Sequence, residues 1–494
     1  MKIFTLVVAI ALPIQVAHAA PCENLTSLKL PDTTITLAQS VAAGTFMPPA
    51  ARGGQANAFK DLPAFCRVAA TLKPSRDSDI KIEVWLPESG WNMKFEAVGN
   101  GGWTGNIPYP ALAGGLQRGY ATAATDTGHR GGSGSFALGH PEKLVDFAYR
   151  AVHELTVKAK AITEAYYGSN PKYSYWNGCS SGGKQGLKEA QLFPNDYDGI
   201  VAGAPANFWT HLTASAAWVG QAVNKTESSY IPQTKYSLVH DAAVHACDAL
   251  DGVKDGVIED PKKCKFDPKV LQCNGDETAA CLTAAQVDMA RVMYSPIANP
   301  RTRQTLFPGF EPGSEMGWST VAGRQPTSLG IDHWKYVVFK DPNWDYKTMD
   351  FDKDVALADK LDNGMINAID TNLRPLFTHG GKILQYHGWA DPLIPPQNSA
   401  DYYESVLKAM GGPSKVKDSY RLFMVPGMGH CGGGDGPSNF DMLSALEQWV
   451  EKGKAPDRII ASMPGRTRPL CPYPQVAVYK GSGSTDDASN FSCK

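Results

Sequence analysis

Gly178-Cys179-Ser180-Ser181-Gly182 is the run with the plainest chemical potential in this chain. It fits G-x-S-x-G, in which glycines permit a tight, strained turn that presents a serine hydroxyl. An ordinary glycine-rich turn would satisfy the same pattern in a sequence holding 48 glycines, so the setting decides. Tyr173 to Trp176, rich in aromatics, reads as a strand before it, and Gly182 to Leu192 reads as a helix after it. That is the strand–turn–helix context a nucleophilic serine needs, with the helix N-terminus facing any negative charge that develops.

A serine nucleophile needs a general base, and the base needs an orienting carboxylate. In α/β-hydrolases, which carry the serine on such a turn, these follow it in the order acid, then histidine. Asp391 stands just after the apolar run Lys382 to Tyr386, and His430 just after Tyr420 to Val425. Both therefore fall at carboxyl ends of strands, the edge where open α/β sheets place their sites. His129 and His153 precede the serine, His211, His240, His245 and His333 fall in a stretch without strand pattern, and His379 and His387 precede Asp391. All of these are expected to be structural or on the surface. Asp126 also ends a strand but is expected to shape the turn before Gly128. The oxyanion requires two N–H donors. Ser181, next to the nucleophile, supplies one. The loop Gly101-Gly102-Trp103, which could also be a simple turn, supplies the other through Gly102.

The elements that must position these residues alternate. Ile80 to Leu86, Lys94 to Val98, Tyr120 to Ala124, Tyr173 to Trp176 and Gly199 to Ala202 read as strands, and Leu144 to Tyr167 as a helix with one apolar stripe. From about Asn207 to Leu373 the alternation stops, and it resumes at Lys382 and Tyr420 before a helix over Asp441 to Lys452. The expected fold is α/β: an α/β-hydrolase core with a mostly parallel sheet and a large lid insertion between nucleophile and acid. The divisions are a signal over 1–19, core over 20–206, lid over 207–373 and core again over 374–494. Lys2, the apolar Ile3 to Val16 and Ala17-His18-Ala19 make the signal, with cleavage after Ala19 and a secreted or periplasmic product. A formal net charge of -2 without long single-sign runs argues against nucleic acid or an anionic membrane as main partner.

Ten cysteines follow the signal. An even number in an exported chain implies disulfides, although spacing alone cannot fix the pairing. Short loops favour Cys247 with Cys264, Cys273 with Cys281, and Cys471 with Cys493. No C-x₂-C or H-x₃-H pair supports zinc instead. Cys179 and Cys431 flank the serine and the histidine. Cys179 is either a thiol nucleophile or one half of a Cys179–Cys431 disulfide, and export into an oxidising compartment favours the disulfide.

Cys-Ser, then Asp, then His-Cys, with a long insertion after the serine, resembles the tannase and feruloyl esterase family. So do Tyr197-Asp198-Gly199-Ile200-Val201-Ala202-Gly203-Ala204-Pro205, Tyr386-His387-Gly388-Trp389-Ala390-Asp391 and Arg468-Pro469-Leu470-Cys471-Pro472-Tyr473-Pro474. The likeness spans nearly the whole chain after the signal. It implies the triad Ser180, Asp391 and His430, the Cys179–Cys431 bond, and a further bond between Cys22 and Cys66. The acidic run Cys247 to Val257 could by itself be a solvated loop. The resemblance implies a structural Ca²⁺ held by Asp248, Asp251 and Asp255 and by the backbone oxygens of Val253 and Val257, with no organic cofactor.

These readings together predict a serine ester hydrolase for phenolic aromatic acids, with feruloyl or other hydroxycinnamoyl esters first. Galloyl esters and mono-(2-hydroxyethyl) terephthalate-like monoesters are the alternatives. The substrate is either a small aromatic ester or a polysaccharide decorated with phenolic esters. Trp209, Trp218, Trp318, Trp334, Tyr336, Phe339, Trp344 and Tyr346 in the insertion are expected to build the lid core and to leave a few rings for a planar acyl group. A peptidase or acyltransferase would share the triad, whereas a non-catalytic carbohydrate-binding protein would not need it.

Overall fold

The chain is described by a computed structural model over residues 20–49 and 59–494. The signal expected over 1–19 lies outside the described residues.

Gly199–Gly203 (β7) is buried at every position and Tyr173–Cys179 (β6) beside it nearly so toward its start, as befits strands covered on both faces. They belong to a nine-stranded sheet with Thr33–Val41 (β1), Phe65–Leu72 (β2), Ile80–Pro87 (β3), Lys94–Val98 (β4), Ala121–Thr125 (β5), and Lys382–Gly388 and Tyr420–Val425. In chain order the last two are β10 and β11, after the short hairpin Ile297–Ala298 (β8) and Thr305–Phe307 (β9). The order across the sheet is β1-β2-β3-β5-β4-β6-β7-β10-β11. Neighbours from β5 to β11 are parallel, and β1, β2 and β3 close the far side antiparallel. Parallel neighbours need crossovers, which the helices Tyr109–Gln117 (α1), Pro141–Val145 (α2), Ala151–Tyr167 (α3) and Ser181–Leu192 (α4) supply. The mostly parallel α/β sheet matches the expectation. Two strands of this sheet escape the sequence reading: β1 and β2 lie at the antiparallel margin, where half-buried residues weaken the apolar signal.

Between β7 and β10 the chain is mainly helical, including Trp209–Val223 (α5), Tyr236–Cys247 (α6), Ala284–Tyr294 and Lys353–Asp362. The absence of regular pattern there has a physical cause. α5 is buried around most of its circumference, so it has no polar face to give an amphipathic period. Thr283 and Gln286 do form a capping box at the start of Ala284–Tyr294. Trp209, Trp318 and Trp334 are buried, whereas Trp218, Tyr336, Phe339, Trp344 and Tyr346 are part-exposed.

All ten cysteines pair as expected: Cys22–Cys66, Cys179–Cys431, Cys247–Cys264, Cys273–Cys281 and Cys471–Cys493. Cys179 is thus a disulfide partner and not a thiol nucleophile. No helix of the described residues is long and apolar enough to cross a membrane.

Candidate active site

β6 ends at Cys179 and α4 begins at Ser181, so Ser180 reverses the chain within one residue. It does so at φ 64° and ψ -123°, a conformation strained for any residue with a Cβ. Three backbone bonds hold it there. Ser180 N–H donates to Gly203 O (2.9 Å), and Ser180 O accepts from Lys184 N–H (3.0 Å) and Ala206 N–H (3.2 Å). The flanking glycines are required by contact. A Cβ on Gly178 would come within 2.6 Å of the Gly182 carbonyl, and one on Gly182 within 3.1 Å of the Asn100 oxygen.

Asp391 lies in the turn after β10 and is fully buried. Its Oδ1 accepts the N–H groups of Leu393 (2.8 Å) and Ile394 (3.0 Å). Its Oδ2 accepts from His430 Nδ1 (2.7 Å) and His387 Nε2 (3.0 Å). Burial alone would push this carboxyl up, but the bonds from His387 and His430, together with their charges, hold it below the usual carboxylate range. With Nδ1–H given to Asp391, His430 keeps its Nε2 lone pair for a proton.

His387 was expected to be structural or on the surface. It is wholly buried, and besides Asp391 it meets Ile394 O (3.1 Å) while its Nδ1 accepts the Ser399 hydroxyl (2.7 Å). Its position at the end of β10, four residues before the acid, was the available signal. Asp126 behaves as expected, accepting the N–H groups of Lys81 (2.8 Å) and Gly128 (2.9 Å).

Cys179 and Cys431 tie the residue before Ser180 to the residue after His430, with Cα atoms 6.0 Å apart. Gly102, at φ +51°, faces the start of α4, where its carbonyl accepts the Ser181 hydroxyl (2.9 Å). Neither Gly102 N–H nor Ser181 N–H meets a protein acceptor among the described residues. The loop carrying Gly102 is fixed by Asn100, whose N–H donates to Gln185 Oε1 (3.0 Å) and whose carboxamide donates to Thr125 O (2.9 Å).

The insertion touches each of these loops. Trp103 Nε1–H donates to Leu329 O (2.8 Å), and a Cβ on Gly102 would lie 3.2 Å from the Leu329 side chain. Gly317 packs so tightly on Pro392 that a Cβ there would come within 2.3 Å of its ring. His240 of α6 lies between Glu315 Oε2 (3.0 Å) and Asp435 Oδ2 (3.3 Å), and Asp435 belongs to the glycine-rich loop that carries His430. Asp435 first and Glu315 second push the His240 imidazolium up to about 10. A separate cavity of about 250 Å³, lined by Leu144, His333, Tyr336, Val338 and Met365 among others, contains none of the triad residues.

The acidic loop of the insertion coils through Gly252 (φ +88°) and Gly256 (φ +80°). Asp248 Oδ1 accepts from Asp255 N–H (3.0 Å) and Gly256 N–H (3.1 Å), Asp251 Oδ1 from Val253 N–H (2.9 Å), and Asp255 Oδ1 from Val257 N–H (3.2 Å). The second oxygens of Asp248 and Asp251 meet no protein donor among the described residues, whereas that of Asp255 is taken by Arg468. Two open carboxylate oxygens are hard donors of the kind Ca²⁺ takes, with Arg468 competing at the third carboxylate.

Residues 66–494 match the family model for tannase and feruloyl esterase. The chain is 39% identical to an uncharacterized esterase of Xanthomonas campestris pv. campestris, over 96% of this chain and 91% of that protein. It is 37% identical to a probable feruloyl esterase B-2 of Aspergillus terreus, over 98% and 97%. Among solved structures, feruloyl esterase B from Aspergillus oryzae superposes with a TM-score of 0.91 at 34% identity, covering 96% of this chain and 99% of that one. A tannin acyl hydrolase from Aspergillus niger shares the fold, with a TM-score of 0.79 at 24% identity and coverage of 97% and 93%.

Proposed function

We propose that this chain, which belongs to the tannase and feruloyl esterase family, cleaves esters of phenolic aromatic acids through an acyl-enzyme on Ser180. It is a carboxylic ester hydrolase of the feruloyl esterase and tannase type. The observation that carries the mechanism is the 2.7 Å bond from His430 to a saturated Asp391, on loops tied to the Ser180 elbow by Cys179–Cys431.

His430 Nε2 takes the hydroxyl proton as Ser180 Oγ attacks the ester carbonyl. The N–H groups of Gly102 and Ser181 bind the oxyanion. His430 then returns the proton to the departing alcohol. Water, deprotonated by the same nitrogen, cleaves the acyl-enzyme and frees the acid. Asp391 holds the tautomer and stabilises the imidazolium. The insertion over 207–373 acts as a lid on the core over 20–206 and 374–494, and its part-exposed aromatic side chains suit a planar acyl group.

Asp248, Asp251 and Asp255, with the backbone oxygens of Val253 and Val257, would hold a structural Ca²⁺ that stiffens this loop. Dialysis against a calcium chelator is expected to lower Tm, with about one calcium per chain regained on return; an unchanged Tm and no uptake would reject the site. Five disulfides agree with export, to the exterior or the periplasm, after cleavage near Ala19.

Parallel rates on methyl ferulate, methyl gallate and mono-(2-hydroxyethyl) terephthalate test the specificity. Ferulate is expected to be fastest; a faster gallate or terephthalate would replace the feruloyl assignment. Ser180→Ala is expected to abolish all three with the fold intact, and retained hydrolysis would remove Ser180 from the mechanism.

A further inference from the structure

A second group of reactive side chains lies at the other end of the helix that begins beside Ser180. His153 of α3, Glu189 in the last turn of α4 and Asp196 in the turn before β7 each bring one ligand atom to within 4.8 Å of the others. His153 Nδ1 and Asp196 Oδ2 are 2.7 Å apart. Phe193 stacks on the imidazole with centroids 3.8 Å apart and planes at 10°, which fixes the ring's direction.

Glu189 is what the protein alone leaves unexplained. It is 1% exposed, and neither carboxylate oxygen has a hydrogen-bond partner. A buried carboxylate without a donor is unstable as an anion. The nearby Lys160 donates to the backbone oxygen of Asp196 and not to Glu189, so it offers the carboxylate its charge but no hydrogen bond. A proton shared with Asp196 or a cation bonded to both acids would satisfy Glu189. With a shared proton the imidazole is bonded to Asp196 alone, whereas a cation would engage all three side chains, which lie within reach of one ion.

We propose that His153, Glu189 and Asp196 bind one divalent transition-metal ion, with Zn²⁺ the best match. One imidazole nitrogen and two carboxylates form a mixed N/O set that suits zinc, whereas Ca²⁺ takes oxygen ligands only. Two carboxylates neutralise the double charge. His153 and Asp196 keep 29% and 15% of their side chains exposed, which leaves a side for a water ligand and for the ion to enter. Binding at Nδ1 displaces its proton, and solvent returns one to Nε2, so the imidazole stays neutral. Any proton on Glu189 leaves to solvent. The ion joins α3, the end of α4 and the turn before β7. Nine residues at about 1.5 Å each separate Glu189 from Ser180, so the ion braces the nucleophile helix and takes no part in the reaction.

The test uses the full chain, stripped with chelator and reloaded with Ca²⁺, then dialysed with and without Zn²⁺. Elemental analysis is expected to find about one zinc per chain, with Tm raised by several degrees. His153→Gln and Glu189→Gln are expected to lose both the zinc and the Tm rise while still hydrolysing methyl ferulate. Co²⁺ is expected to give a visible absorption band that His153→Gln abolishes. Failure of the native chain to retain zinc would overturn the proposal in favour of the shared proton. Retention of equal zinc by the variants would overturn it too. Should Glu189→Gln not fold, His153→Gln at its part-exposed position decides alone.

Discussion

Asp391 is a carboxylate held between two imidazoles, and His240, in the insertion, is an imidazole held between two carboxylates. The likeness ends at their surroundings. Asp391 is sealed, with two backbone N–H groups on its other oxygen, one histidine in the last residues of β10 and the other in the loop that leaves β11 beside it. His240 bridges two parts of the chain, and its outer partner, Asp435, is 46% exposed. One arrangement survives the loss of any single bond because others fix the same atom. The other depends on a charge that solvent reaches. The reacting groups are therefore over-determined by the core, while the insertion is fastened to the histidine loop by contacts that pH and single substitutions can undo.

Asp391→Asn should have the largest effect. An amide in this place turns an N–H toward one of the histidine nitrogens that now donates, so His430 loses its tautomer. We expect kcat to fall about 10⁴-fold with KM little changed. Steady-state rates on methyl ferulate measure this. A loss of only a few-fold would mean that His387 and the backbone donors orient His430 without the carboxylate's charge.

Replacing both Cys179 and Cys431 with Ser should come next. The bond spans 252 residues of chain, so its loss frees roughly 5 kcal/mol of unfolded-state entropy on the chain-entropy account. Denaturant unfolding reads the stability, and kcat reads how well Ser180 and His430 keep their spacing. If stability falls and kcat does not, the bond staples the fold and the sheet edge alone sets the site.

The difference between the two regions is also a difference in legibility. Ser180, Asp391 and His430 stand at ends of buried strands, and a strand covered on both faces is a continuous apolar run that ends abruptly at polar chemistry. The expected elements from Ile80 to Gly203 and from Lys382 to Val425 accordingly coincide with those found. His387 stayed hidden because a buried histidine and a surface one look alike in sequence; only the fold shows that its Nε2 meets Asp391. His240 and Glu315 were hidden for another reason. They are 75 residues apart within a segment whose helices bury themselves on most sides, so neither periodicity nor spacing brings them together. Glu189 lay in a helix read correctly, yet its lack of partners is a property of packing and not of pattern.

His240→Gln should have the smallest effect and the most informative pH dependence. Glu315 faces His240 from within the insertion and in turn accepts the Tyr294 hydroxyl (2.6 Å) and the Gly313 N–H (2.9 Å); Asp435 faces it from the histidine loop. The imidazolium is pushed up to about 10, above its ordinary value near 6.5. A raised value means that folding favours the protonated form. The contribution is therefore complete below about pH 6.5 and is lost as pH rises through about 10. Because solvent screens Asp435, the pair should contribute about 1 kcal/mol, or a few degrees in Tm at neutral pH. Thermal unfolding from pH 6 to 10.5 should show the native chain losing its advantage over His240→Gln across this window. At neutral pH the variant should raise KM more than it lowers kcat, since the insertion loosens while Asp391 still holds His430. Parallel curves for the two proteins at all pH values would mean that the insertion is seated by the Trp103–Leu329 and Gly317–Pro392 contacts, and that the His240 pair only follows.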